Sequence, residues 1–126
     1  MYTLLAVAAG GAVGSVARYL LSARIGHWLG TGFPWGTLAV NIVGCTIYGA
    51  LVEIFARVWS VGGTGRALLT VGFLGGFTTF SAFSFEVFAL YERGQVVEAL
   101  AYVVASVVLS ILGVFAGLHL FRVVLS

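Results

Sequence analysis

Along this chain the apolar residues do not alternate with polar ones at the period of a strand, nor do they form the single stripe of a surface helix. They run almost unbroken in four blocks, residues 2–21, 35–56, 67–90 and 96–121. About 20 apolar residues in a helix cross a hydrocarbon core of roughly 30 Å, so each block predicts a membrane span. The connecting stretches, SARIGHWLGTGFP, RVWSVGGTGR and YERGQ, are short and punctuated by Gly and Pro. The pattern therefore predicts an all-α membrane protein, residues 1–126 forming a single four-helix transmembrane domain with no domain outside the bilayer. Trp28, Trp35, Trp59 and Tyr91 fall near the predicted span ends, where an interfacial aromatic belt would place them.

Composition strengthens this reading: 61% of residues are hydrophobic and 8% charged, too apolar for a soluble fold of 126 residues. No basic residue precedes Arg18, the reverse of a signal peptide, so the first span is expected to be retained. All basic residues are Arg and all acidic ones Glu, spread without a patch for nucleic acid. Four spans put Arg57, Arg66 and Arg122 on the side of the termini and Arg18, Arg24 and Arg93 on the other. With three on each side, the positive-inside rule has nothing to act on, which predicts insertion in both orientations and an antiparallel homodimer. If Arg18 is buried and uncounted, a weak conventional orientation is left. Three Gly-x-x-x-Gly spacings, at Gly10/Gly14, Gly72/Gly76 and Gly113/Gly117, offer smooth surfaces for close helix approach.

Polar groups inside a span are costly and mark candidate sites. The second block holds Asn41, an uncharged donor able to meet an anion or to join two helices. The fourth places Tyr102, Ser106 and Ser110 at i, i+4 and i+8, a stripe that either lines a path or bonds back to its own helix. The third is the unusual one, GGFTTFSAFSFE from Gly75 to Glu86. Gly72, Gly75 and Gly76 followed by Thr78 and Thr79 predict a helical break around residues 75–81. Carbonyls freed by such a break suit a small cation such as Na⁺, and Thr78, Thr79 and Ser81 add hydroxyls. Beyond it, Phe80 and Phe83 share a face: either packing, or two ring edges turned to an anion. Arg18, near the predicted end of the first span, can snorkel or make a vestibule electropositive. Glu86 stands toward the end of the third span, as an ion-pair partner or at the interface. Cys45 reads as a small buried hydrophobe, and His27, expected in the first loop, and His119 are too isolated to suggest a metal site.

Taken together, GGAVGSVARY with Arg18, GTLAVNIVGC with Asn41, GFLGGFTTFSAFS and the Tyr102/Ser106/Ser110 stripe resemble the Fluc, or CrcB, family of fluoride channels over essentially the whole chain. The resemblance implies a dual-topology homodimer of four-helix subunits in the bacterial inner membrane, with two antiparallel pores conducting fluoride passively and selectively. Implied too are a broken third helix and a central structural Na⁺ on the carbonyls of Gly75 and Thr78 from both subunits. The pore residues would be Asn41, Phe80, Phe83, Thr79, Tyr102, Ser106 and Ser110, with Arg18 at the vestibule and Glu86 near a pore end. Ala82 stands where many members carry a hydroxyl. A small multidrug-resistance-type transporter, the nearest rival, needs a carboxylate in its first span, and residues 2–21 contain none. No nucleophile–base pair suggests an enzyme.

Overall fold

The computed structural model describes all residues from Met1 to Ser126. Every regular element is helical: α1 (Tyr2–Leu29), α2 (Trp35–Arg57), α3 (Gly63–Arg66), a π-helical segment (Ala67–Leu74), α4 (Gly75–Phe77), α5 (Ser81–Glu92) and α6 (Val96–Leu125). Four helical stretches are long and apolar enough to cross a membrane: α1, α2, the composite Gly63–Glu92, and α6. These are longer than the hydropathy blocks suggest. The helix α1 continues to Leu29, so Arg24, His27 and Trp28, expected in a loop, lie on its last turns, with the Arg24 guanidinium 5.9 Å from the Trp28 ring. What remains of the first loop is short, and Gly30 turns it with φ of 86°. Gly94 turns the third loop with φ of 79°. Both conformations are ones a residue with a Cβ adopts at a cost.

The helices pair in two parallel couples. Gly10 and Gly14 of α1 lie against the backbone of Leu68, Phe73 and Phe77, and Gly76 against Gly11 and Ser15. Likewise Gly113 of α6 meets Ile42 and Thr46 of α2, and Gly117 meets Thr46 and Ala50. A Cβ at Gly14, Gly49 or Gly117 would overlap a carbonyl oxygen of the neighbouring helix, which is how small residues let membrane helices approach. The three Gly-x-x-x-Gly surfaces are thus spent inside one chain. At the end of α2, the buried carboxylate of Glu53 fixes the α2–α6 register: Arg57 Nε lies 2.7 Å from Oε2 and Arg122 Nη2 lies 2.8 Å from Oε1. A buried carboxylate persists only when its charge is answered in this way.

The third span departs most from a regular helix. Its first half is wound as a π-helix, in which the Gly75 amide reaches back five residues to the Thr70 carbonyl. Helicity then stops at Thr78–Phe80, close to the midpoint of the span, and resumes at Ser81. The break is narrower than the predicted 75–81, since Gly75 and Gly76 are helical. Thr78, at φ −85° and ψ 159°, is the residue that leaves the helix.

Candidate functional site

A break in mid-span exposes backbone groups that hydrocarbon cannot satisfy, so the structure must supply partners from elsewhere. Asn41 of α2 supplies two. Its Nδ2 donates to the Thr79 carbonyl at 3.0 Å, and the Thr79 amide donates to its Oδ1 at 2.8 Å. The side-chain amide stands in for a peptide group and leaves one N–H of its own uncommitted. Gly44, one turn along α2, permits this approach, because a Cβ there would collide with Thr78 Cγ2.

Arg18 supplies the third partner, its Nε donating to the Gly76 carbonyl at 3.1 Å. Because α1 runs eleven residues past Arg18, this guanidinium sits against the break and not at a span end as expected. On the far side of the gap, Thr79 Oγ1 accepts from the Ala82 amide at 3.1 Å and starts α5 as a capping hydroxyl does. The carbonyls of Gly75 and Thr78 are among those left over. The Thr79 amide, which in a continuous helix would return to Gly75, is held by Asn41, and the Thr78 carbonyl receives none of the neighbouring amides.

Beside the break lies a cleft of about 330 Å³. It is lined by Thr78, Thr79, Phe80 and Phe83 from the break and α5, by Asn41 and Cys45 of α2, and by Ser106, Val107, Ser110 and Ile111 of α6. Ser106 is buried, and its Oγ has no hydrogen-bond partner. Leaving a buried hydroxyl unpaired costs about 1–3 kcal/mol, and this one belongs to a residue that lines the cleft. The rings of Phe80 and Phe83 are 5.4 Å apart. Phe83 is buried, whereas Phe80 is 77% exposed, and Gly75 before the break is exposed too.

Tyr102 does not line this cleft. It is fully buried, its ring 5.1 Å from that of Phe83, and its hydroxyl donates to Glu86 Oε1 at 3.0 Å. Thr37 Oγ1 donates to the other carboxylate oxygen at 3.1 Å. Glu86 and Thr37 belong to a second cleft of about 260 Å³, which reaches the first loop and Arg93. The Phe83–Tyr102 pair therefore separates two clefts, one at the break and one at the end of the bundle.

Sequence reasoning passed over Thr37 and Cys45. The signal was present: Thr37, Asn41 and Cys45 are spaced i, i+4 and i+8, the same spacing as Tyr102, Ser106 and Ser110. Since α2 and α6 run parallel, the two stripes meet rung by rung, 37 with 102, 41 with 106 and 45 with 110. Cys45 is half-buried on the cleft wall, not a filler of the core.

Residues 5–118 match the family model described as CrcB-like protein, Camphor Resistance (CrcB). The chain belongs to the CrcB family. Among curated CrcB relatives, the fluoride-specific ion channel FluC of Rhodospirillum centenum is 54% identical over 122 residues, covering 97% of each chain. That of Chelativorans sp. (strain BNC1) is 55% identical over 125 residues, covering 99% of this chain and all of the relative. That of Nitrobacter winogradskyi is 50% identical over 121 residues and 96% of each chain. These CrcB relatives are named as ion channels, so the family is one of channels and not of enzymes, and this member is a multi-pass membrane protein. Every residue of the break and of both clefts lies within the matched CrcB region.

Proposed function

We propose that this protein is a passive fluoride-selective channel that lets cytoplasmic fluoride leave the cell and so limits its toxicity. The observation that carries the reading is the cleft at the break, where neutral donors converge in a chain at least half identical to channels named fluoride-specific. Fluoride is small and tightly hydrated, so a path must return hydrogen bonds for the water it removes. The free N–H of Asn41 and the hydroxyls of Thr79, Ser106 and Ser110 are such donors, and the edges of Phe80 and Phe83 supplement them with partial positive charge. Conduction also needs easy exit. The one guanidinium near the break, Arg18, already bonds Gly76, which suits an electropositive vestibule better than a trap.

The same reading makes the protein an antiparallel homodimer with two pores in the bacterial inner membrane. What supports this is the exposed position of Gly75 and Phe80 beside carbonyls without partners, a surface that lipid cannot satisfy and a second copy can. The carbonyls of Gly75 and Thr78 fit a hard cation: they are neutral oxygens released by the break, with no carboxylate or imidazole cluster nearby. A structural Na⁺ on the two pairs would supply positive charge that joins the breaks of both subunits. Orientation is checked by C-terminal reporter fusions, which are expected to report from both sides of the membrane; signal from one side alone excludes dual topology.

Efflux from liposomes tests the function. Fluoride is expected to leave rapidly, chloride to be retained, and no proton gradient to be needed. Equal chloride flux, or an absolute need for proton exchange, overturns the channel reading.

A further inference from the structure

We propose that Cys45 is a water-accessible rung of the ion path, so that this channel can be closed by covalent modification of its own thiol. The inference rests on the proposed conduction through the cleft at the break and adds to it a residue that the polar pattern of α6 alone does not reveal. Three observations converge on it. Cys45 follows Thr37 and Asn41 at four-residue spacing on the face of α2 that meets α6. It lines the same cleft as Asn41, Ser106 and Ser110, and as the third rung it stands opposite Ser110. The buried Ser106 Oγ, on a residue lining that cleft, has no hydrogen-bond partner and is a donor with which a polar guest in the cleft could pair.

The thiol is half-buried, neither sealed in the core nor open to lipid on all sides. A cleft of about 330 Å³ holds several waters but is largely filled by one additional side-chain-sized group. An adduct on Cys45 therefore occludes the passage between the α2–α6 ladder and the Phe80/Phe83 side. The sulfur is a weak hydrogen-bond donor compared with a hydroxyl, so serine keeps the polarity of the rung while removing its reactivity.

The test uses the full-length protein in liposomes and a membrane-impermeant cationic alkyl methanethiosulfonate. The deprotonated sulfur attacks the reagent's divalent sulfur, the S–SO2 bond breaks as a disulfide forms, methanesulfinate leaves with the bonding pair, and the thiol proton passes to water. Intact-mass measurement is expected to show one adduct per chain, reversed by a thiol reductant, together with a fall of at least about tenfold in fluoride efflux. Cys45→Ser is expected to conduct, to take up no adduct and to be unaffected by the reagent. Failure of the native protein to react, full efflux after complete modification, or inhibition that persists in Cys45→Ser would each overturn the assignment. If the untreated protein passes no fluoride, the conduction reading fails by itself, while adduct formation still reports whether Cys45 faces water.

Discussion

Replacing Asn41 by leucine is expected to abolish fluoride efflux and to weaken the fold at the same time. The side chain satisfies both backbone groups of Thr79 at 2.8 and 3.0 Å, at a point in the span where the helix itself supplies neither partner. Leucine has the same number and branching of side-chain heavy atoms but leaves an N–H and a C=O orphaned, at about 1–3 kcal/mol each, or roughly 2–6 kcal/mol in all. That is a large part of the stability of a domain this size. A lower melting temperature in detergent checks the structural half. Asn41→Asp separates the two roles. Its carboxylate still accepts from the Thr79 amide and leaves only the Thr79 carbonyl without its donor, but it puts a negative charge in the cleft, and two like charges about 4 Å apart at an effective dielectric of 20 repel by about 4 kcal/mol. Efflux is therefore expected to fall by about a thousandfold in a protein that still folds. Wild-type flux from Asn41→Leu would show that neither the bonds to Thr79 nor the remaining N–H matters.

The double role of Asn41 shows what can be read from the chain and what cannot. Its position in an apolar block is visible in the sequence, as is the cost of burying it. Whether it meets an ion or another helix depends on which backbone lies opposite, and that is a property of packing. The four spans were legible because hydropathy over about 20 residues integrates a large energy. Their ends were not: α1 extends through Arg24, His27 and Trp28 because an amphipathic last turn can leave the hydrocarbon without ceasing to be helical.

The break was legible from Gly75, Gly76, Thr78 and Thr79, but its place within them was not. Glycine weakens a helix without ending it, and in this protein Gly76 is kept helical by its seat against Gly11 and by Arg18 on its carbonyl. The π-helical turns of Ala67–Leu74 gave no sign in the sequence, since they accompany the close contact of Gly72 with Val7 and Gly10 across the interface. For the candidate site, the serines of α6 stood out as hydroxyls at regular spacing. Thr37 and Cys45 did not, because their meaning appears only when α2 is laid parallel to α6 and the two stripes are compared.

Isoleucine at Phe80 or Phe83 is expected to reduce fluoride efflux by about tenfold in each case while the proposed dimer persists, and the two sites differ in what else changes. Loss of a ring edge from the proposed anion path would remove an electrostatic contact worth about 1 kcal/mol or slightly more, which is close to a factor of ten in rate. Phe83 is buried against Tyr102 at 5.1 Å and Phe80 at 5.4 Å, so Phe83→Ile also gives up packing and lowers the melting temperature. Phe80 is 77% exposed within the subunit, so Phe80→Ile costs the fold of the subunit little. A flux loss in Phe80→Ile at unchanged melting temperature can therefore be assigned to the ring and not to the scaffold. Should Phe80→Ile conduct normally while Phe83→Ile loses flux and stability together, the rings act only as packing, and selectivity must rest on Asn41 and the hydroxyl ladder alone.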